Sequence, residues 1–275
     1  MCGSTAIAGR SSSSSTDSKP RRGSCTTRGV KIVTEEHQLS VDSSPLRVRV
    51  CAPRAAGRFP GVLLYSEIFQ LTGPICRSME RLAGHGFVVA APEIFHRVEP
   101  LGAVIPYDDA GRERGLAAAG RTRAVEHDRD RSAVLDWLQQ DPRVDPERLA
   151  SMGFCIGGHL ALRAALDPRV GAVVACYPTG VHNGKLGLDA DAGTLAPLAR
   201  TRAALLIVFG DADPHVPPEG RAAIAHALST LRSRSTIREF PAEHAFMRDE
   251  GARYDPQASD EVWRMAVEHL RGALA

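Results

Sequence analysis

Three residues of this chain have the types and spacing to do covalent chemistry together. Cys155 stands in "LASMGFCIGGHLAL", framed by Gly153 and Gly157, where an apolar run gives way to a helix-like pattern. Glycines two places either side of a residue let a strand and a helix pass closely while that residue takes a strained backbone. A thiol presented there sits over a helix N-terminus, whose free N–H groups favour the thiolate. The N–H of Ile156 would point at a developing oxyanion. Asp213 follows in "VFGDADPHVPP", with Asp211 as the other acid of that loop, and His244 in "FPAEHAFMRD". A nucleophile, a base and a group to orient the base are what thiol catalysis requires. Taken singly, each has a bland reading: a packed thiol, an Asp-rich turn, a surface histidine. Their joint order along the chain favours the chemical one.

Those residues must be carried by a scaffold, and the hydrophobic pattern indicates which. "FPGVLLYS" (59–66), "FVVAAPEIF" (87–95), "RLASMGF" (148–154), "GAVVACYP" (171–178), "ALLIVFG" (204–210) and "TIREFP" (236–241) read as strands, most of them short continuous apolar runs. Such runs suit strands buried on both faces. "LRVRVCAP" (46–53) alternates, as expected of a half-exposed edge strand. Helical stretches lie between them: 73–86 with Ile75, Met79 and Leu82 on one stripe, 122–140 with Val125, Val134, Leu135 and Leu138 facing inward, then 157–166, 218–231 and 258–274. Alternating strands and helices predict an α/β fold with a mainly parallel sheet and helices on both faces. Cys155, Asp213 and His244 each fall just past a strand's carboxyl end, where sites form in such sheets. Residues 101–120, with four glycines and weak periodicity, read as an irregular excursion lining the substrate entrance.

The chain is 275 residues long with a net charge of +2, too small to suggest nucleic acid or a membrane surface as partner. No apolar run is long enough to span a bilayer. Cysteines 2, 25, 51, 76, 155 and 176 show no C-x-x-C pair and no metal-ligand spacing, so reduced thiols in a cytosol-like compartment are expected. Residues 1–29 are rich in Ser and Arg; they read as a disordered tail, with an organelle transit peptide as the alternative. Residues 30–275 read as one domain, taken as a monomer. Among the other histidines, His127 falls on a charged helix face, His159 reads as packed, His182 has no evident role, and His215 lies in the acid loop beside the site.

From about Phe59 to its last helix, the chain resembles the dienelactone hydrolase family of α/β hydrolases, which use a cysteine in the nucleophile elbow. Nucleophile, acid, histidine is the triad order of that fold. Within "GFCIGGHLAL", Cys155 falls on the family nucleophile; "GDADPHVPP" selects Asp213 rather than Asp211; "EHAFMRD" places His244 as the triad histidine. "YSEIF" resembles the segment in which a glutamate faces the resting cysteine and the next N–H completes the oxyanion hole, which implies Glu67 and the backbone of Ile68, with Ile156 as the other donor. "APEIFHR" and the Arg four places after the histidine carry over Arg97 and Arg248 as holders of a substrate carboxylate. A guanidinium suits that task through two parallel hydrogen bonds.

The resemblance implies a carboxylic ester hydrolase that opens a small, anionic lactone through a thioester, with no cofactor or metal. Two other readings stay open: a general esterase or thioesterase on the same fold, and a non-catalytic small-acid-binding protein that keeps the pocket.

Overall fold

Two alternating segments form a hairpin at one side of the molecule. Ile32–Val41 (β1) and Ser44–Pro53 (β2) pair antiparallel from Ile32↔Pro53 to Val41↔Ser44, turning through Asp42 and Ser43 at φ 50° and 62°. Positive φ at both central residues is the two-residue turn whose twist matches its flanking strands. Because β1 takes the edge, β2 is not the edge strand its alternation suggested: its other side pairs antiparallel with Val88–Pro92 (β4).

The computed structural model describes residues 31–231 and 234–275; the expected tail at 1–29 lies outside them. After the hairpin come Phe59–Tyr65 (β3), Gly73–Gly84 (α1), β4, Asp109–Ala119 (α2), Ala124–Gln140 (α3), Val144–Phe154 (β5) and Ile156–Ala164 (α4). Val170–Cys176 (β6), Leu195–Leu198 (α5), Ala204–Gly210 (β7), Pro218–Ala227 (α6), Ser235–Phe240 (β8) and Pro256–Ala273 (α7) complete the order. The sheet runs β1-β2-β4-β3-β5-β6-β7-β8, with parallel pairing from β4 through β8. Parallel neighbours put the ends of β3, β5, β7 and β8 at the same edge.

Successive strand residues point to opposite faces, and the core divides accordingly. Leu63, Tyr65, Val173 and Ile207 pack with Val134, Leu135 and Leu138 of α3 and Leu160 of α4 on one face. Val62, Leu64, Met152 and Val174 pack with Met79 and Leu82 of α1 and Val262 and Trp263 of α7 on the other. The one hydroxyl on the inner part of β5, Ser151, donates to the Ala161 carbonyl at 2.9 Å and so ties that strand to α4.

Three expectations change. Residues 101–120 are not irregular throughout: Asp108 caps α2 by accepting from the Gly111 N–H at 2.7 Å, and the helix buries Gly111, Gly115, Ala118 and Ala119 rather than a large apolar stripe. In α3 Val125 is exposed rather than inward. His127, read from its charged neighbours as a surface residue, is buried with its Nε2 3.0 Å from Thr122 Oγ1.

Candidate active site

The elbow follows from local sterics. Cys155 links β5 to α4 at φ 58°, ψ −121°, a conformation that costs a non-glycine residue on the order of 1–3 kcal/mol. Its N–H donates to the Cys176 carbonyl at 3.1 Å, and its own carbonyl accepts from Thr179 at 3.2 Å, so the neighbouring strand holds the strained turn. A Cβ on Gly153 would lie 2.0 Å from the Gly157 carbonyl oxygen, and one on Gly157 would lie 2.3 Å from that of Ser66. Alanine at either position forces the strand, the helix or the β3 loop apart.

Asp213 and His244 descend from the ends of β7 and β8 and meet. The His244 Nδ1 lies 2.7 Å from Asp213 Oδ2, and the other carboxylate oxygen accepts from the His215 N–H at 2.8 Å. Burial alone would raise the Asp213 carboxyl, but the His244 ring outweighs it and leaves it below the usual carboxylate range. Burial likewise works against a charged His244. Cys155 beside it and Asp213 behind it prevail, pushing the imidazole up to about 10. The edges of Tyr177 and His215 enclose the ring, with centroids at 5.1 Å and 4.6 Å.

Glu67, just past β3, is buried, and neither carboxylate oxygen accepts a hydrogen bond from the described residues. Burial raises its carboxyl, against the opposing pull of Arg248, whose Nη1 is 3.5 Å from Oε2. The Arg248 guanidinium lies over the Tyr107 ring at 4.2 Å and near Phe69 at 5.6 Å, and its Nε donates to the Glu250 carbonyl. Stacking of this kind fixes the plane of an otherwise mobile side chain.

Cys155, Glu67, Ile68, Ile156, His244 and Arg248 line one cavity of about 550 Å³. Neither the Ile68 nor the Ile156 N–H has a backbone acceptor among the described residues. Asp213 stands behind His244 rather than in the lining.

Arg97 is the exception, and the carboxylate clamp expected of it is corrected here. It is absent from the cavity. Its Nη1 and Nη2 donate to Asp130 of α3 at 2.6 and 2.8 Å, with Asp42 at 3.3 Å. Both donor edges of the fork are spent on the hairpin turn and α3, and the protein has used this arginine as a brace.

The 101–120 segment does line the cavity, through Tyr107, Asp108, Asp109, Arg112, Leu116 and Ala119. Sequence reasoning missed Tyr107, Arg112 and Lys185 as individuals. Only Lys185 left a signal, being one of three lysines in the chain.

This geometry can now be set beside known proteins. A family model described as the dienelactone hydrolase family matches residues 46–274. The chain belongs to the dienelactone hydrolase family. With membership come the α/β-hydrolase fold and carboxylic ester hydrolysis as the class of chemistry. A Saccharomyces cerevisiae protein named "Putative carboxymethylenebutenolidase" is 39% identical over 213 residues, which are 74% of this chain and 78% of that one. A Synechocystis protein of the same name is 30% identical, over 77% and 85%. Among solved structures, a Klebsiella pneumoniae protein titled as a putative dienelactone hydrolase superposes with a TM-score of 0.77. It is 23% identical and covers 88% of this chain and 99% of its own, a likeness of fold. No helix among the described residues is long and apolar enough to cross a membrane.

Proposed function

We propose that the chain hydrolyses an anionic lactone or ester by nucleophilic attack of Cys155, through a thioester acyl-enzyme. The observation that carries this reading is the meeting of three strand ends: a strained Cys155 beside a His244 that Asp213 fixes at 2.7 Å. Thiol attack needs a base beside the sulfur to take its proton, and His244, held by Asp213, stands there.

Asp213 occupies Nδ1, leaving Nε2 for the proton traffic. The thiolate attacks the carbonyl, and the N–H groups of Ile68 and Ile156 receive the oxyanion, each worth on the order of 3 kcal/mol. Collapse expels the alkoxide or enolate and leaves the acyl group on sulfur. His244 protonates the leaving oxygen, then takes a proton from water as that water attacks the thioester, and the acid leaves with the thiol regenerated. Glu67 is the accessory acid: with no hydrogen bond among the described residues and one weak ionic partner, it is a second acceptor for the Cys155 proton, freed when a substrate carboxylate draws Arg248 away. Arg248, not Arg97, binds that carboxylate.

The test is the hydrolysis of a dienelactone, followed by loss of its ultraviolet absorbance, for the wild type and Cys155→Ala. Turnover lost in a folded variant supports the thiol mechanism. A folded wild type without turnover rejects the lactone, and p-nitrophenyl butyrate then tests the wider esterase reading.

A further inference from the structure

The cavity is lined by more arginine and lysine side chains than a single carboxylate needs. Of its four lining cations, Arg248 approaches Glu67 at 3.5 Å and Arg253 pairs with Glu243 at 3.3 Å. Arg112 and Lys185 have no carboxylate within 4.0 Å among the described residues. Other cations nearby behave differently: Arg114, two residues from Arg112, pairs with Glu99 at 2.5 Å, and Arg123 reaches Asp189 of the Lys185 loop at 3.5 Å. Neither acid of the same lining lies within 4.0 Å of the two: Asp108 caps α2, and Asp109 forms no ion pair among the described residues.

Both side chains are exposed, but each springs from a packed segment. Arg112 lies one turn from Gly115, where α2 presses so closely on the oxyanion loop that a Cβ would stand 2.6 Å from the Ile68 carbonyl oxygen. Lys185 comes from a separate segment, the loop after β6. That loop is pinned by buried Leu186 and by Gly187, whose φ of 60° and close approach to the Thr122 carbonyl exclude a side chain. The composition adds a separate observation. Lysines occur only at 19, 31 and 185 in a chain with 34 Lys and Arg together, and the one lysine beyond residue 31 lines the site.

We propose that Arg112 and Lys185 form a second anion subsite in the lining of the cavity, so that the preferred substrates carry two anionic groups. One sits at Arg248 near the scissile carbonyl and the other at Arg112 and Lys185. The proposal rests on the hydrolase reading of this cavity. The volume of about 550 Å³ fits it, being roughly eighteen waters' worth at ~30 Å³ each. A lactone with a single carboxylate fills only part of that space.

Binding can be measured without turnover, which separates this proposal from the hydrolase reading. Calorimetric titration of Cys155→Ala with succinate, glutarate, adipate and suberate, each against the monoacid of equal length, reports the second subsite directly. At least one diacid should bind tenfold or more tighter than its monoacid. That gain should vanish in the Arg112→Gln/Lys185→Gln form of the same protein. Arg114→Gln, outside the cavity, should leave it intact, and circular dichroism melting checks that each variant is folded. Equal affinities for diacids and monoacids, or a gain that survives the double substitution, would overturn the subsite. Failure of the wild type to hydrolyse any ester would overturn the hydrolase reading instead, whatever the calorimetry shows.

Discussion

Arg97 and Arg248 look alike in the sequence, each sitting beside a motif of the site, yet the fold gives them opposite work. Arg248 lies flat on Tyr107 with one side open to the cavity and only a 3.5 Å approach to Glu67. Arg97 is gripped bidentately by Asp130 and touched by His96 and Asp42. A guanidinium is available to a ligand only if the protein's own carboxylates leave its donors free. What separates the two is Asp130, on a helix 33 residues further along the chain, and the hairpin turn that carries Asp42.

This contrast can be broken or sharpened by substitution. The largest effect belongs to the centre that both arginines were expected to serve. Cys155→Ala should cost at least a thousandfold in kcat with little change in melting temperature, and Cys155→Ser should stay far below wild type because a hydroxyl is much harder to deprotonate. Next comes the pair itself. Arg248→Gln should lower kcat/KM for a dienelactone by roughly 10- to 100-fold, the loss of one charge-assisted contact worth about 1.5–3 kcal/mol, and leave p-nitrophenyl butyrate nearly unaffected. Arg97→Gln should spare that selectivity and instead destabilise the fold by about 3 kcal/mol, because it removes the bidentate cation from the buried Asp130 carboxylate and leaves it only the His96 contact. Equal losses of anionic selectivity in both variants would erase the distinction.

Smaller effects come from titration. Glu67 has a carboxyl raised by burial above its ordinary 4.5, so its ionised form costs stability once the pH passes that value. Glu67→Gln should therefore raise the melting temperature, by ~2–4 °C for each kcal/mol relieved, more at pH 8 than at pH 5, while slowing lactone turnover. His244 has the opposite sign. A folded pKa of about 10 against an ordinary 6.5 means that its contribution is complete below about pH 6.5 and is lost as pH rises toward 10. The melting-temperature gap between wild type and His244→Gln should narrow over that range.

The parts of the site that were legible in the sequence are those whose chemistry is tied to short backbone geometry. Gly153 and Gly157 stand where a Cβ would strike a carbonyl, so the elbow is written in adjacent letters. Asp213 follows β7, buried enough to show as an apolar run, whereas His244 follows the half-exposed β8. The elements that misled depend on distant partners. The stripe of α3 that turns inward carries His127 and Asp130, polar residues satisfied by Thr122, His96 and Arg97, so the phase drawn from Val125 was rotated. Helix α2 packs through glycines and alanines and shows no apolar period. The edge strand β1 was hidden because its alternation, "IVTEEHQLSV", is mostly polar and only half buried.

The central claim is that the acyl group passes through the sulfur of Cys155. Rapid-quench mass spectrometry of the protein mixed with a dienelactone tests it most directly. The account predicts a transient mass increase equal to the ring-opened acyl group, mapping to the peptide that contains Cys155 and absent from Cys155→Ala. Turnover that persists in Cys155→Ala, or an adduct on another residue, would contradict it.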